Sequence, residues 1–391
     1  MTSKCAQFFV PRRILSGPGS VEAVGSEAKR LGGKRILIVT DSGIERAGLV
    51  EQVARFLESE SLDYVVYKDI QPNPTVDNVL QGLKELKSTN CQVVLGIGGG
   101  SVLDAGKMIA AMATNDGKVQ DYDGVDLIPN RMLPYIAVNT TAGTGSEVTR
   151  WSVITDSDRQ VKMAIGDENI IPDLAIDDPQ LTISVPPHLT AGTGMDALTH
   201  AIEGYVGRNA TPLTDCLALE AISLITKNLR IAYADGEDLD ARDKLMYAQM
   251  LGGMAFSNAG VGNVHAMAHQ LGAVYDMPHG LANAVILPFV MEYNLIARPD
   301  KFFRIAMAMG ENVSGLSVFE AGKKAVLAVR ALNDAINIPS NLKECDVKEK
   351  DLSMLVDKTM DDGAMTTNPR LSSRQDIEEL WKYAHSGFVG G

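Results

Sequence analysis

The sequence predicts an α/β domain over 1–183 followed by an all-α domain over 184–391. Three observations carry this. Short β-branched runs alternate with helical patterns through the first half of the chain. Pro186 and Pro187 then punctuate the sequence. Long helical patterns dominate after them, and strand-like runs become rare.

Taken in order, "KRILIVTD" (Lys34 to Asp41) is an apolar run closed by an acid, and "DYVVYKD" (Asp63 to Asp69) is a second strand candidate. "CQVVLGIGGGS" (Cys91 to Ser101) is a third and "LPYIAVNTTAGTGSE" (Leu133 to Glu147) a fourth. Helical patterns near 43–58 and 75–89 separate the first three, which argues for a parallel sheet with covering helices. In such sheets ligands bind at the carboxyl ends of the strands. Glycines and hydroxyls gather there, after Ile97 and after Val138. Beyond the prolines, helices are expected over "HLTAGTGMDALTHAIEGYV", "TDCLALEAISLITKNL" and "ARDKLMYAQMLGGMAFSNA".

Composition narrows the function classes. The chain has 391 residues, 45% hydrophobic and 22% charged, with a formal net charge of -13. No basic run offers a surface to a phosphate backbone, so nucleic acid is excluded as a partner. No apolar stretch is long enough to span a bilayer, and the N-terminus lacks a secretory pattern. Cys5, Cys91, Cys216 and Cys345 are scattered, without zinc-finger or redox spacing. Thiols in a reducing cytoplasm are the expectation.

The glycine turn in "GIGGGSVLDAGKMIAAMA" runs from a strand into a helix. Glycines admit a phosphate to the backbone, and a helix N-terminus offers N–H groups and a favourable dipole. Ser101 can cap that helix or donate to a phosphate oxygen. The spacing is neither GxGxxG nor a P-loop, since Lys107 comes too late. A tight strand-to-helix turn explains it equally. Asp41 reads first as the N-cap of the next helix, but an acid ending this strand can also accept from a ribose diol, favouring NAD over NADP. Thr140, Thr141, Thr144 and Ser146 in "NTTAGTGSEVT" can donate to phosphate or ribose, or satisfy their own loop. Asn73, in "QPNPT", is a turn residue by default.

Half of the chain's six histidines sit in "HAMAHQLGAVYDMPHG". His265 and His269 are four apart, hence on one helix face. The zinc-peptidase motif is rejected because Ala266 stands where its glutamate would be. His279 is expected past that helix, on a turn begun by Pro278 and Gly280. Asp196 and His200 form a second pair four apart. Carboxylate plus imidazole suits a divalent metal such as Fe, Zn, Mn, Ni or Co. His188 and His385 lack such company and read as structural.

These motifs together resemble the iron-dependent (group III) alcohol dehydrogenases. The resemblance runs nearly end to end, through "FFVPRRILSGPGS", "LIVTD", "QPNPT", "GIGGGSVLDAGK", "NTTAGTGSEVTR", "AIDDPQL", "GMDALTHAIEGY", "GMAFSNAGVGNVHAMAHQLGAVYDMPHGLANA" and "TTNPR". It implies an N-terminal Rossmann-like dinucleotide-binding domain and a C-terminal helical metal-binding domain, with the active site in the cleft. The implied metal ligands are Asp196, His200, His265 and His279, with His269 beside the site in proton relay. Asp41, Asn73, Gly98, Gly99, Gly100, Ser101, Thr140, Thr141, Thr144, Lys162 and Leu181 match positions lining the NAD site. Phe256 and Trp151 match the substrate pocket. Gly106 departs from the commonest pattern, and is expected to loosen its helix slightly.

The resemblance further implies NAD and one divalent metal per chain, Fe2+ first, with Zn2+, Mn2+ or Ni2+ also fitting the donors. The metal would act as a Lewis acid while hydride passes to the nicotinamide. The implied substrates are short primary alcohols (ethanol, methanol, 1,3-propanediol) and their aldehydes. Family members form dimers or larger homo-oligomers. Two rivals remain at this stage: a zinc glycerol-dehydrogenase-like polyol oxidoreductase, or a dehydroquinate-synthase-like lyase, sharing the architecture, and a noncatalytic metal- or nucleotide-binding protein.

Overall fold

The structure is a computed structural model and describes residues 6–159 and 161–388. It divides into two compact units, one over Phe8–Val185 and one that joins residues 6–7 to the chain from Pro186 onward. Cys5 lies outside the described residues, while Cys91, Cys216 and Cys345 are free thiols.

The first unit is built on a six-stranded sheet. Its strands are β1 (Ile14–Ser16), β2 (Arg35–Val39), β3 (Asp63–Tyr67), β4 (Val93–Gly98), β6 (Tyr135–Asn139) and β9 (Leu174–Asp177). Their order is β1-β9-β6-β4-β2-β3, and every pairing is parallel. Such strands are covered on both faces, which is why "RILIV" and "VVLGIG" read as continuous apolar runs. Alternate residues feed two cores: Ile36, Ile38, Val93 and Leu95 on one face, and Leu37, Val39 and Val94 on the other. Five helices connect or cover the strands: α1 (Val24–Arg30), α2 (Ser42–Arg46), α3 (Leu49–Ser59), α4 (Val76–Ser88) and α5 (Gly100–Met112). The single helical pattern expected near 43–58 is two helices, because Gly48 adopts a left-handed φ of 76° between them. A second sheet holds β5 (Gly124–Val125), β7 (Trp151–Asp156) and β8 (Val161–Gly166) in the order β5-β8-β7, with β7 and β8 an antiparallel pair.

Strand order reverses at β2. The chain runs outward from β2 to β3, then returns to place β4 on the other side of β2. The carboxyl ends of β2 and β4 therefore flank a topological switch point, the usual ligand position in an open parallel sheet. Asp41 follows the first of these strands and Gly98 to Ser101 end or follow the second.

The second unit is helical in its long elements: α6 (Pro187–Val206), α7 (Pro212–Ala234), α8 (Leu239–Ala259), α9 (Asn263–Tyr275), α10 (His279–Leu295), α11 (Pro299–Ala308), α12 (Val318–Ala335), α13 (Leu352–Met360) and α14 (Arg374–Ser386). Prolines at the first turn start α6, α7 and α11, where a missing N–H costs nothing. Helices α6 and α8 approach closely through Gly204 and Gly252, whose added Cβ atoms would lie 3.3 Å from Phe256 Cα and 3.2 Å from Ala197 O. His188 is exposed, and His385 Nε2 lies 3.0 Å from Val347 O. No helix among the described residues is long and apolar enough to cross a membrane.

Two expectations need correction. Gly99, not Ser101, is the N-cap of α5, so Ser101 falls within the helix. Asp276, with φ 51°, ends α9, and His279 opens a new helix capped by Pro278 rather than sitting on a turn. Gly106 has a packing role in α5 beside its low helix propensity. Its added Cβ would lie 2.6 Å from the Tyr135 hydroxyl, which donates to Leu103 O at 3.0 Å, so the glycine makes room for that buried ring.

Candidate metal centre and cofactor strand ends

Helix α6 presents Asp196 and His200 one turn apart, α9 presents His265, and α10 opens at His279. One donor atom from each lies within 4.8 Å of the other three. The Nε2 atoms of His279, His265 and His200 stand 3.5, 3.9 and 4.0 Å from Asp196 Oδ1. Ligands about 2.1 Å from a tetrahedral cation are about 3.4 Å from one another. The four donors fit one divalent ion after a small contraction.

Two glycines bring His279 to α6. A Cβ on Gly280 would lie 2.3 Å from Gly192 O, so only a glycine lets the first turn of α10 rest on the α6 backbone. Ring packing completes the arrangement. His200 stacks between Phe256, 4.1 Å away, and His265, 4.7 Å away.

The protonation states also suit a cation. Burial pushes His265 down to about 4 and His279 well below the ordinary histidine value, so both rings are neutral. Burial alone would raise Asp196, but His200, His279, His265 and the Asn283 amide outweigh it and hold the carboxyl below its usual range. Metal binding requires this combination of neutral imidazole and ionised carboxylate.

Three supporting residues escaped the sequence reading. Asn283, fully buried, donates to Asp196 Oδ1 at 2.6 Å. Glu203 lies 2.6 Å from His265 Nδ1 and accepts from Val264 N at 2.7 Å. Burial raises its carboxyl to about 7. Asp362 lies 2.9 Å from His269 Nδ1 and accepts from Gln270 Nε2 at 3.2 Å. Glu203 was findable, being seven residues after Asp196 on the same helix face. Asn283 follows His279 by four. Asp362 has no local signal, because its partner is 93 residues away. His269 itself stands outside the four-donor group, its ring stacked 5.6 Å from that of His279.

Comparison with known proteins decides the family. Residues 11–179 match iron-containing alcohol dehydrogenase, and residues 190–385 match the C-terminal part of the Fe-containing alcohol dehydrogenase family. The chain is 44% identical to 1,3-propanediol dehydrogenase of Klebsiella pneumoniae over 98% of its own length and 100% of that protein's. It is 44% identical to the NAD-dependent methanol dehydrogenase of Bacillus methanolicus over 96% and 99%. A crystal structure of 1,3-propanediol oxidoreductase superposes with a TM-score of 0.96 at 44% identity, covering 97% of this chain and 99% of that one. The chain belongs to the iron-containing alcohol dehydrogenases. It is an oxidoreductase that interconverts alcohols and aldehydes.

In this iron-containing alcohol dehydrogenase the glycine turn and the hydroxyl loop form one feature. A Cβ on Gly99 would lie 3.2 Å from Thr141 Cγ2, and one on Gly100 would lie 2.7 Å from Thr144 Cγ2. Gly98 is crowded by Val102, at 2.7 Å. Thr140 Oγ1 is buried with no hydrogen-bond partner among the described residues, a donor position that suits a phosphate or hydroxyl ligand. The loop is clasped to α5 by one half-buried and one buried side chain. Asp104 accepts from Ser146 Oγ at 2.6 Å and Val153 N at 2.9 Å. Lys107, fully buried, donates to Trp151 O at 2.6 Å and Thr149 O at 3.2 Å.

Both readings of Asp41 remain compatible with its position. Its Oδ1 caps α2, accepting from Gly43 N at 2.7 Å and Ile44 N at 3.0 Å. Oδ2 makes no hydrogen bond among the described residues. Asn73 adopts a left-handed φ of 56° and accepts from Lys162 Nζ at 2.7 Å, which joins two residues chosen separately from the sequence. Leu181 is buried in the core with Val138 and Ile176. The Trp151 ring covers Gly166, where an added Cβ would lie 2.5 Å from Cζ3.

Proposed function

We propose that the chain is an NAD-dependent dehydrogenase of short primary alcohols and diols, with Asp196, His200, His265 and His279 holding one catalytic divalent metal. The reading rests on one observation, four donor atoms from three helices within 4.8 Å of one another. When bound, the metal supplies Lewis acidity toward the alcohol or carbonyl oxygen, and the nicotinamide accepts or returns the hydride.

The chain's own residues do the rest. Glu203 and Asn283 orient the donors from behind. His269, tied through Nδ1 to Asp362, presents its remaining nitrogen for proton relay. Phe256, stacked on His200, is assigned to the substrate side, with Trp151 as a further wall residue. Gly98 to Ser101, Thr140, Thr141 and Thr144 would hold the pyrophosphate, Asp41 the ribose diol, and Asn73 with Lys162 a further part of the same cofactor. Leu181 would back that site from the core. The position of Asp41 and Gly98 to Ser101 at the β2/β4 switch point, with Thr140 and Thr141 at the end of the neighbouring β6, supports this.

The short-alcohol range follows the names of the relatives, which specify 1,3-propanediol and methanol. Iron is favoured by the family, while Zn2+, Mn2+ and Ni2+ suit the same donors. A cytoplasmic, homo-oligomeric enzyme is the setting we infer. Chelation followed by readdition of each metal, with a panel of alcohols and with NAD or NADP, tests the reading. Activity should vanish on chelation and return with metal. Full activity in the chelated protein would refute it.

A further inference from the structure

The Glu203 carboxylate, on α6, faces two different kinds of group. Oε1 accepts from Val264 N at 2.7 Å, and the N–H groups of Gly262 and His265 also point to the carboxylate. These are the first N–H groups of α9, whose own N-cap is Gly262 and has no side chain to satisfy them. The room is made to measure, since a Cβ on Gly262 would lie 2.9 Å from Oε1. Oε2, meanwhile, lies 2.6 Å from His265 Nδ1. The residue is 4% exposed.

We propose that Glu203 is a positioning residue that sets the tautomer of His265. The proposal rests on the metal reading above and adds a residue to it. The N–H groups of α9 donate to the carboxylate and oppose the burial that raises it, the helix N-terminus favours its anion, and as an anion Oε2 can only accept. As an acceptor, Oε2 requires the proton of His265 to sit on Nδ1. Nε2 then carries the lone pair, directed toward Asp196 Oδ1 3.9 Å away. One carboxylate thus caps a helix and selects the ligating nitrogen in the same act.

The geometry makes an unusual demand on substitutions. In Glu203→Gln the carbonyl oxygen stays with the N–H groups of α9, because an NH2 group there would oppose them. The NH2 then faces Nδ1 and donates to it, which drives the ring proton to Nε2 and removes the ligand. In Glu203→Ala neither tautomer is imposed. The near-isosteric glutamine is therefore more harmful to metal binding than alanine, although it packs better.

The test is Zn2+ and Co2+ affinity of the full chain, measured by competition with a chromophoric chelator, alongside 15N spectra of His265. Glu203→Gln should weaken binding by about 10–100-fold, as loss of such a partner does. It should weaken binding more than Glu203→Ala, and move the ring proton from Nδ1 to Nε2. Wild-type affinity in Glu203→Gln, or an unchanged tautomer, would overturn the proposal. If Glu203→Ala does not fold, the tautomer shift in Glu203→Gln decides alone. A wild-type chain that binds neither ion would refute the metal reading itself, a separate outcome.

Discussion

Replacing Gly280 by alanine should damage the metal centre although it adds only one methyl group. The added Cβ would lie 2.3 Å from Gly192 O and 2.6 Å from Gly192 C. Both are backbone atoms of α6, so no side chain can swing aside. A carbon–oxygen contact relaxes to about 3.3 Å, which moves the first turn of α10 by about 1 Å. His279 is the neighbouring residue, 3.5 Å from Asp196 Oδ1 before the change. A shift of about 1 Å in a functional group costs on the order of 100-fold in rate, and metal affinity should fall as His279 leaves its donor position. Overpacking costs about 1–3 kcal/mol of stability, against about 1 kcal/mol gained from alanine's helix propensity. The control is Gly192→Ala, on the other side of the same contact, where the nearest atom would be Leu281 N at 3.7 Å. It should leave metal affinity unchanged and raise stability by up to about 1 kcal/mol. Metal titration and thermal melts of the two variants make the assay. Equal behaviour of the two, or wild-type metal affinity in Gly280→Ala, would refute the close-approach argument.

Other outcomes follow from the same structure. His269→Ala should retain the metal and lose rate or cofactor affinity, and loss of bound metal in that variant would overturn the division of roles among the histidines. Gly106→Ala, favourable by helix propensity, should instead destabilise by about 1–3 kcal/mol, because its Cβ meets the Tyr135 ring and hydroxyl; Tyr135→Phe should relieve part of the loss, and a more stable Gly106→Ala in a denaturant titration would show the site to be open. Burial holds Lys107 at about 8, against 10.5 in the unfolded chain, so the unfolded state binds more protons between those values and stability rises with pH there. Measured against Lys107→Met, the wild type should gain up to about 3 kcal/mol from pH 8 to 10.5, and a flat difference would remove the charged-lysine account. Asp41→Gly should shift cofactor use toward NADP while costing only a few tenths of a kcal/mol as a cap; an unchanged NADP-to-NAD ratio would leave the residue as a cap alone.

Legibility in the sequence followed the range of the interactions. Parallel strands β2, β3, β4 and β6 were visible because burial on both faces leaves unbroken apolar runs. β1 and β9 were not assigned as strands, since at three and four residues each carries too little pattern to stand out. Their pairing joins Leu15 to Ile176, far apart in the chain. Three of the four donor residues were legible in pairs, through the four-residue spacing of Asp196 with His200 and of His265 with His269. That spacing alone marked His269 as readily as His265. His279 could be set beside the two pairs, but only the resemblance moved His269 out of the donor group; in the structure α9 ends at Asp276, so His279 arrives on a separate helix from another direction. The supporting carboxylates were less legible for the same cause: helix spacing could set Glu203 on the Asp196 face, but could not show which group it serves. Glu203 serves α9 from α6, and Asp362 serves His269 from a 3-10 turn beyond α13. Gly106 shows the opposite limit, a residue noticed for its helix propensity while its partner Tyr135 lies on a strand that no helix propensity records.

The central claim is that three helices build one metal site, and metal content per chain tests it most directly. Protein purified anaerobically should carry one divalent ion per chain, and both His265→Ala and His279→Ala should lose that ion together with alcohol oxidation. A wild-type chain that oxidises alcohols with no bound metal, or histidine variants that keep a full complement, would contradict the account.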